Sequence, residues 1–95
     1  MLDFETARYN MLESQIRTND VTDKAVQAAM MQTPREKFVP AGKRSVAYQD
    51  EGMLIHTSDE GAKRYLMEPR VFARLLQMAD IRSDSLVLHV GAGLG

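Results

Sequence analysis

The sequence predicts an α/β protein: a mostly helical front end over residues 1–83, then a first parallel strand with its glycine turn over 84–95. Three observations predict it. Apolar residues recur at helical spacing over 3–17 and again from about residue 68. LVLHV at 86–90 is a nearly continuous apolar run of strand length, as expected of a parallel strand buried on both faces. The glycines of GAGLG at 91–95 supply the turn that follows it. A lone parallel strand has no partner for its backbone hydrogen bonds. The chain is therefore expected to be the N-terminal fragment of one larger α/β domain.

In the first helix, Phe4, Ala7, Met11, Leu12 and Ile16 share a face, with Asp3 and Glu5 near the start and Arg17 at the end, where the helix dipole favours them. Asn19 and Asp20 break it. Thr22 is the expected cap of a second helix running to about Gln32, with Val21 and Val26 at staple spacing. TPRE at 33–36 offers a capping threonine, a proline at the first helical position and a glutamate able to reach back, so a short helix starts there. Pro40 and Gly42 end it, leaving Phe38 and Val39 as core anchors. Residues 42–63 sustain no period and read as a loop, with a short extended piece at 53–55. Pro69 opens the last helix, whose apolar face is Val71, Phe72, Leu75, Leu76 and Ala79.

Composition narrows the function classes. With 95 residues, 44% hydrophobic and 26% charged, the chain can build one small core. A net charge of −1 gives no electrostatic reason to expect nucleic acid or an anionic membrane as partner. Cysteine is absent, which excludes disulfides, thiolate catalysis and cysteine metal sites, and no metal site is expected. The start, MLDFETARYN, carries acids and no apolar stretch, unlike a secretory signal, and the expected compartment is the cytoplasm.

A strand running into GAGLG brings backbone amides close to a ligand, because glycines tolerate positive φ and leave room for a cofactor against the main chain. Plain tight turns use the same residues. MLESQIR at 11–17, VTD at 21–23, PREKFVP at 34–40 and AYQD at 47–50, followed by VLHVGAGLG at 87–95, resemble in order the N-terminal part of the protein-L-isoaspartate O-methyltransferases. The resemblance implies a Rossmann-like class I methyltransferase fold that binds S-adenosylmethionine at its first strand. It implies methyl transfer to the free carboxylate of an isoaspartyl residue in damaged protein. It also implies that Gly91, Gly93 and Gly95 are cofactor-binding, with His89 standing where the motif has an acid. The family's acid for the cofactor ribose and its remaining strands lie downstream of that motif. These 95 residues alone are therefore expected to bind S-adenosylmethionine weakly or not at all.

Two departures bear on the acceptor. The family's GQTIS element, whose serine is thought to contact the substrate carboxylate, is replaced by RYLM at 64–67, with Met67 at the serine's place. A thioether is only a weak acceptor and donates nothing. Ser58 or Thr57 is a candidate substitute hydroxyl, and Arg64 or Arg70 a candidate anion holder; solvated loop and helix-flanking roles are the plainer readings. His89 reads equally as a packed strand histidine or a ligand contact.

Two functional readings stand: part of an S-adenosylmethionine-dependent methyltransferase, possessing the family acceptor or a changed one, and a catalytically inactive helical interaction module derived from such an enzyme. A nicotinamide-binding Rossmann unit is a third, requiring residues outside this sequence. Without most of its sheet, the chain is expected to expose the apolar sides of its last helix and strand, and to self-associate or fray over 84–95.

Overall fold

The structure, a computed structural model, describes residues 3–93. Helix α1 (Phe4–Met11) starts where the Asp3 carboxylate accepts the amides of Glu5 and Thr6 at 3.0 and 3.2 Å. The Thr6 hydroxyl bonds to the same group, and together these donors hold the Asp3 carboxyl below its usual value. The helix then widens into a π-helical turn, Leu12–Ile16, and tightens into a 3₁₀ turn, Arg17–Asn19. Carbonyls around the irregular turns are taken up by side chains four residues on: Ser14 bonds to Asn10, Thr18 to Ser14 and Asn19 to Gln15. Asp20, at φ 64, closes the run in a left-handed conformation.

Helix α2 (Lys24–Gln32) is capped by Asp23, whose carboxylate accepts the amides of Ala25 and Val26. Thr22 was the expected cap, and the difference has a tertiary cause. The Thr22 and Asp23 amides both donate to the side-chain oxygen of Gln77, at 2.7 and 2.8 Å, which fixes the entry turn one residue later. At the other end the capping box expected at 33–36 does not form. Thr33 turns back to donate to the Ala29 carbonyl, Pro34 precedes a 3₁₀ turn (Arg35–Phe38), and Glu36 is buried in an ion pair. Val39 is buried as expected, while Phe38 is half-buried.

Pro40 opens a further 3₁₀ segment, Ala41–Val46, which contains Gly42. The rest of the expected loop holds an antiparallel hairpin of β1 (Met53–Thr57) and β2 (Lys63–Leu66), pairing Met53 with Leu66 and Thr57 with Lys63 across a bulge near Ile55. The extended piece at 53–55 is thus the start of β1. β2 is mostly exposed and carries no strong apolar alternation, which is why periodicity missed it.

Helix α3 (Pro69–Ala79) follows Glu68 and ends at Asp80, at φ 50. One side of α3 buries Pro69 and Ala73 against the front end, and Ala73 joins Leu12, Ile16 and Val21 in the first core cluster. A second cluster joins Val39, Ala47 and Met53. Of the apolar face expected on α3, Phe72 and Leu76 are half-buried, whereas Val71 and Leu75 are exposed, as is Met78.

Residues 86–90 are not in a strand, contrary to expectation: the sheet among the described residues is the β1–β2 hairpin, and no backbone hydrogen bond between described residues reaches 86–90. No helix among the described residues is long and apolar enough to cross a membrane.

Candidate cofactor and acceptor site

The glycine segment is held at two points. The His89 ring stacks on Phe72 of α3, centroids 6.3 Å apart and 26° between planes. Farther on, a Cβ at Gly93 would lie 2.6 Å from the Ile55 Cδ1 on β1. Gly93 (φ 67) and Gly91 (φ 74) both adopt left-handed backbone, where L side chains are strained. Both glycines are thus called for by conformation: at Gly93 the close atom is the movable end of the Ile55 side chain, and nothing lies within 4 Å of a would-be Cβ at Gly91. Gly95 falls outside the described residues.

The acceptor side is set by the hairpin. Met67 follows β2 directly and is exposed, and its carbonyl accepts a 2.9 Å hydrogen bond from the Arg35 guanidinium. The Arg35 Nε donates to the Ala47 carbonyl at 2.6 Å, so one side chain ties position 67 to the front end. Burial pushes the Arg35 guanidinium below its ordinary value.

Neither candidate hydroxyl comes near Met67. Thr57 pairs at the opposite end of the hairpin from Leu66, and four residues of strand separate the ends by about 13 Å. Ser58 spends its side-chain oxygen on its own loop, accepting from the Ala62 amide at 3.0 Å. Arg70 is engaged with Asp50, Nε to Oδ1 at 3.4 Å, and Arg64 stands exposed on β2 opposite His56.

Sequence reasoning missed a polar cluster in the front end, made of Arg8, Glu36 and Tyr48. The Arg8 Nη2 meets Glu36 Oε1 at 2.9 Å, with side chains only 15% and 7% exposed. The Arg8 Nε donates to the Tyr48 hydroxyl at 2.9 Å, and that hydroxyl donates to Glu36 at 3.0 Å. Tyr48 and Glu36 raise the Arg8 value, and burial raises that of the Tyr48 phenol. Arg8 also donates to the Met31 carbonyl, and the Gln15 amide to that of Tyr48, so Arg8 joins α1 to α2 and to the Arg35–Phe38 turn, and the π-helical turn is tied to Tyr48. The available signal was Arg8 itself, four residues from both Phe4 and Leu12 and therefore on the inward stripe.

Residues 6–95 match the model of a family described as protein-L-isoaspartate(D-aspartate) O-methyltransferase. The chain belongs to this family. Relatives named protein-L-isoaspartate O-methyltransferase include one from Opitutus terrae, 38% identical over 97% of this chain and 39% of its own length. Another, from Aeropyrum pernix, is 37% identical over 97% of this chain and 34% of its own length. The form named protein-L-isoaspartate O-methyltransferase 2 from an Anaeromyxobacter species is 38% identical over 96% of this chain and 35% of its own. The chain thus spans well under half the length of these curated relatives. Within the family frame, the glycine segment and position 67 are carried by the same two neighbours, the hairpin and α3.

Proposed function

We propose that this chain is the cofactor-turn and acceptor-side portion of an S-adenosylmethionine-dependent methyltransferase of Rossmann-like class I fold, acting in the cytoplasm on isoaspartyl carboxylates of damaged protein. The observation that carries the reading is the pair Gly91 and Gly93, both at positive φ and directly after the apolar run, in a member of this family.

The residues present fit the cofactor in kind. Positive-φ glycines turn their amides outward without side chains in the way, and Gly91 faces open space. Gly91, Gly93 and Gly95 would hold the cofactor through the main chain. His89 supports that turn by stacking on Phe72 and leaves the ligand to the backbone. S-adenosylmethionine, when bound, supplies a methyl group on a sulfonium. An acceptor that is already a carboxylate needs little acid or base catalysis, and orientation supplies most of the acceleration. The work left to this chain is therefore positional. Arg35 fixes the backbone at Met67, and the hairpin sets its height against α3.

The test is a chimera in which this chain replaces the matched part of the Opitutus terrae relative. S-adenosylhomocysteine binding with methyl transfer to an isoaspartyl peptide, and none to its aspartyl counterpart, is the expected result, with Met67→Ser raising the rate. Absence of S-adenosylhomocysteine binding in a folded chimera sinks the reading. The chain of 95 residues on its own binds the same ligand weakly or not at all.

A second reading draws on Met67. With a thioether at the serine's place and the Ser58 oxygen committed to its loop, the segment lacks a nearby hydroxyl for an acceptor carboxylate. A catalytically inactive interaction module follows, and the chimera would then bind S-adenosylhomocysteine without transfer, with Met67→Ser restoring none.

A further inference from the structure

The geometry points to a groove on the front end that takes an extended, acidic segment of another protein. The site lies outside the methyltransferase reading and does not depend on it.

The groove runs along α1 and its π-helical turn. One wall is the stripe Phe4, Ala7 and Met11, spaced to share a helix face and continued by Gln15. The other is the 3₁₀ segment Ala41–Val46 with the turn after it, which contributes Arg44, Ser45 and Gln49. Phe4 and Arg44 line both halves of the groove, which continues past them to Pro34 and Lys37. From Phe4 to Gln15 the helical wall is about 16 Å long, the reach of about five extended residues. Bonds within the front end hold the walls apart at a set width: Gln15 to the Tyr48 carbonyl, and Arg8 to Tyr48 and Glu36.

The two halves differ in chemistry. The half between Phe4 and Pro34 carries Lys37 and Arg44, both exposed, and their charged groups meet no partner among the described residues. Lys43, between them in sequence, is by contrast spent on the Leu54 carbonyl. The acid that lines this half, Glu36, is neutralised by Arg8 at 2.9 Å. A carboxylate with an apolar residue beside it is the complementary partner, because Phe4 and Pro34 set an apolar floor under the two cations. A run of phosphates fits less well, since the exposed acids Asp3 and Glu5 stand at the start of the same helix.

In the other half the lining is neutral and hydrogen-bonding, through Asn10, Gln15, Ser45 and Gln49. Gln15 gives its amide nitrogen to the Tyr48 carbonyl, which leaves its Oε1 buried without a donor among the described residues. A buried acceptor left unmade is costly. The backbone of an extended peptide carries an N–H at every residue, and one entering along the groove is the partner this acceptor lacks. Acidic side chains are thus read at one end and the main chain is held at the other.

Fluorescence anisotropy tests this, with a labelled, end-blocked peptide Glu-Leu-Glu-Leu-Glu titrated with the chain of 95 residues. The acidic peptide is expected to bind, and its counterpart with glutamine for every glutamate to bind about tenfold more weakly. Arg44→Glu with Lys37→Glu should weaken the acidic peptide by at least about tenfold and let a lysine version of it bind in preference. Lys24→Glu, the same change of charge outside the groove, should have little effect. Lys37 and Arg44 are exposed and make no side-chain bond, so the double variant should keep the circular dichroism of the wild type. No binding of the acidic peptide at millimolar chain, equal binding of the glutamine peptide, indifference to the double variant, or an equal loss on Lys24→Glu would each overturn the proposal. So would a pentathymidylate bound as tightly as the acidic peptide, which would make the groove a phosphate-backbone site instead.

Discussion

The front end, residues 3–80, and the segment that follows it meet the same demand in opposite ways. In the front end, irregular turns leave many backbone groups without helical partners, and named side chains take them up: Gln77 the amides before α2, Arg35 two carbonyls, Arg74 that of Asn19, Lys43 that of Leu54. Residues 86–93 have the more regular apolar sequence and no such partners among the described residues. Local regularity does not make a strand. A backbone element forms where its polar groups are satisfied, and in a chain this short, long polar side chains do that over distances of up to 57 residues.

The contrast breaks most severely if the buried pair is cut. Glu36→Ala strands the Arg8 guanidinium and removes an acceptor from Tyr48, and is expected to cost about 3–5 kcal/mol in urea unfolding; a loss below about 1 kcal/mol would show that the cluster contributes little. Raising the pH attacks the same cluster. Burial raises the folded Tyr48 value above the ordinary 10.0, so its contribution is full below that pH and lost as the pH rises through the folded value. Wild type should therefore lose stability in that alkaline range by more than Tyr48→Phe does, and parallel pH profiles for the two would contradict this.

A smaller loss, about 1 kcal/mol, is expected for Asp23→Ala, which removes the α2 cap, with Thr22→Ala nearly silent. Reversal of that order in thermal melts would restore Thr22 as the cap. Smallest of all, Leu86→Ser, measured dilute enough to keep the chain monomeric, should shift stability by less than about 0.5 kcal/mol. A larger change would mean that the segment packs into the core.

Legibility in the sequence followed the same division. The start of α1, the Pro69 start of α3, the extended piece at 53–55 and the need for glycine at 91 and 93 were readable because propensity, proline geometry and glycine freedom are local. The α2 cap was misplaced by one residue because Gln77, more than fifty residues away, takes the preceding amides. The box at 33–36 failed because Glu36 is drawn to Arg8, 28 residues earlier. Met67 was legible as a departure from the family pattern. That its carbonyl is held by Arg35, and that the hairpin carries Thr57 away from it, required the fold.

The most direct measurement of the central contrast is residue-resolved amide hydrogen exchange on the dilute, monomeric chain. The expected result is strong protection across α1, α2 and α3, fading after Asp80, with 86–93 exchanging at close to the rate of an unstructured peptide. Protection of 86–90 comparable to that of α1 in the monomer would contradict it, and would mean that the run finds backbone partners within its own chain.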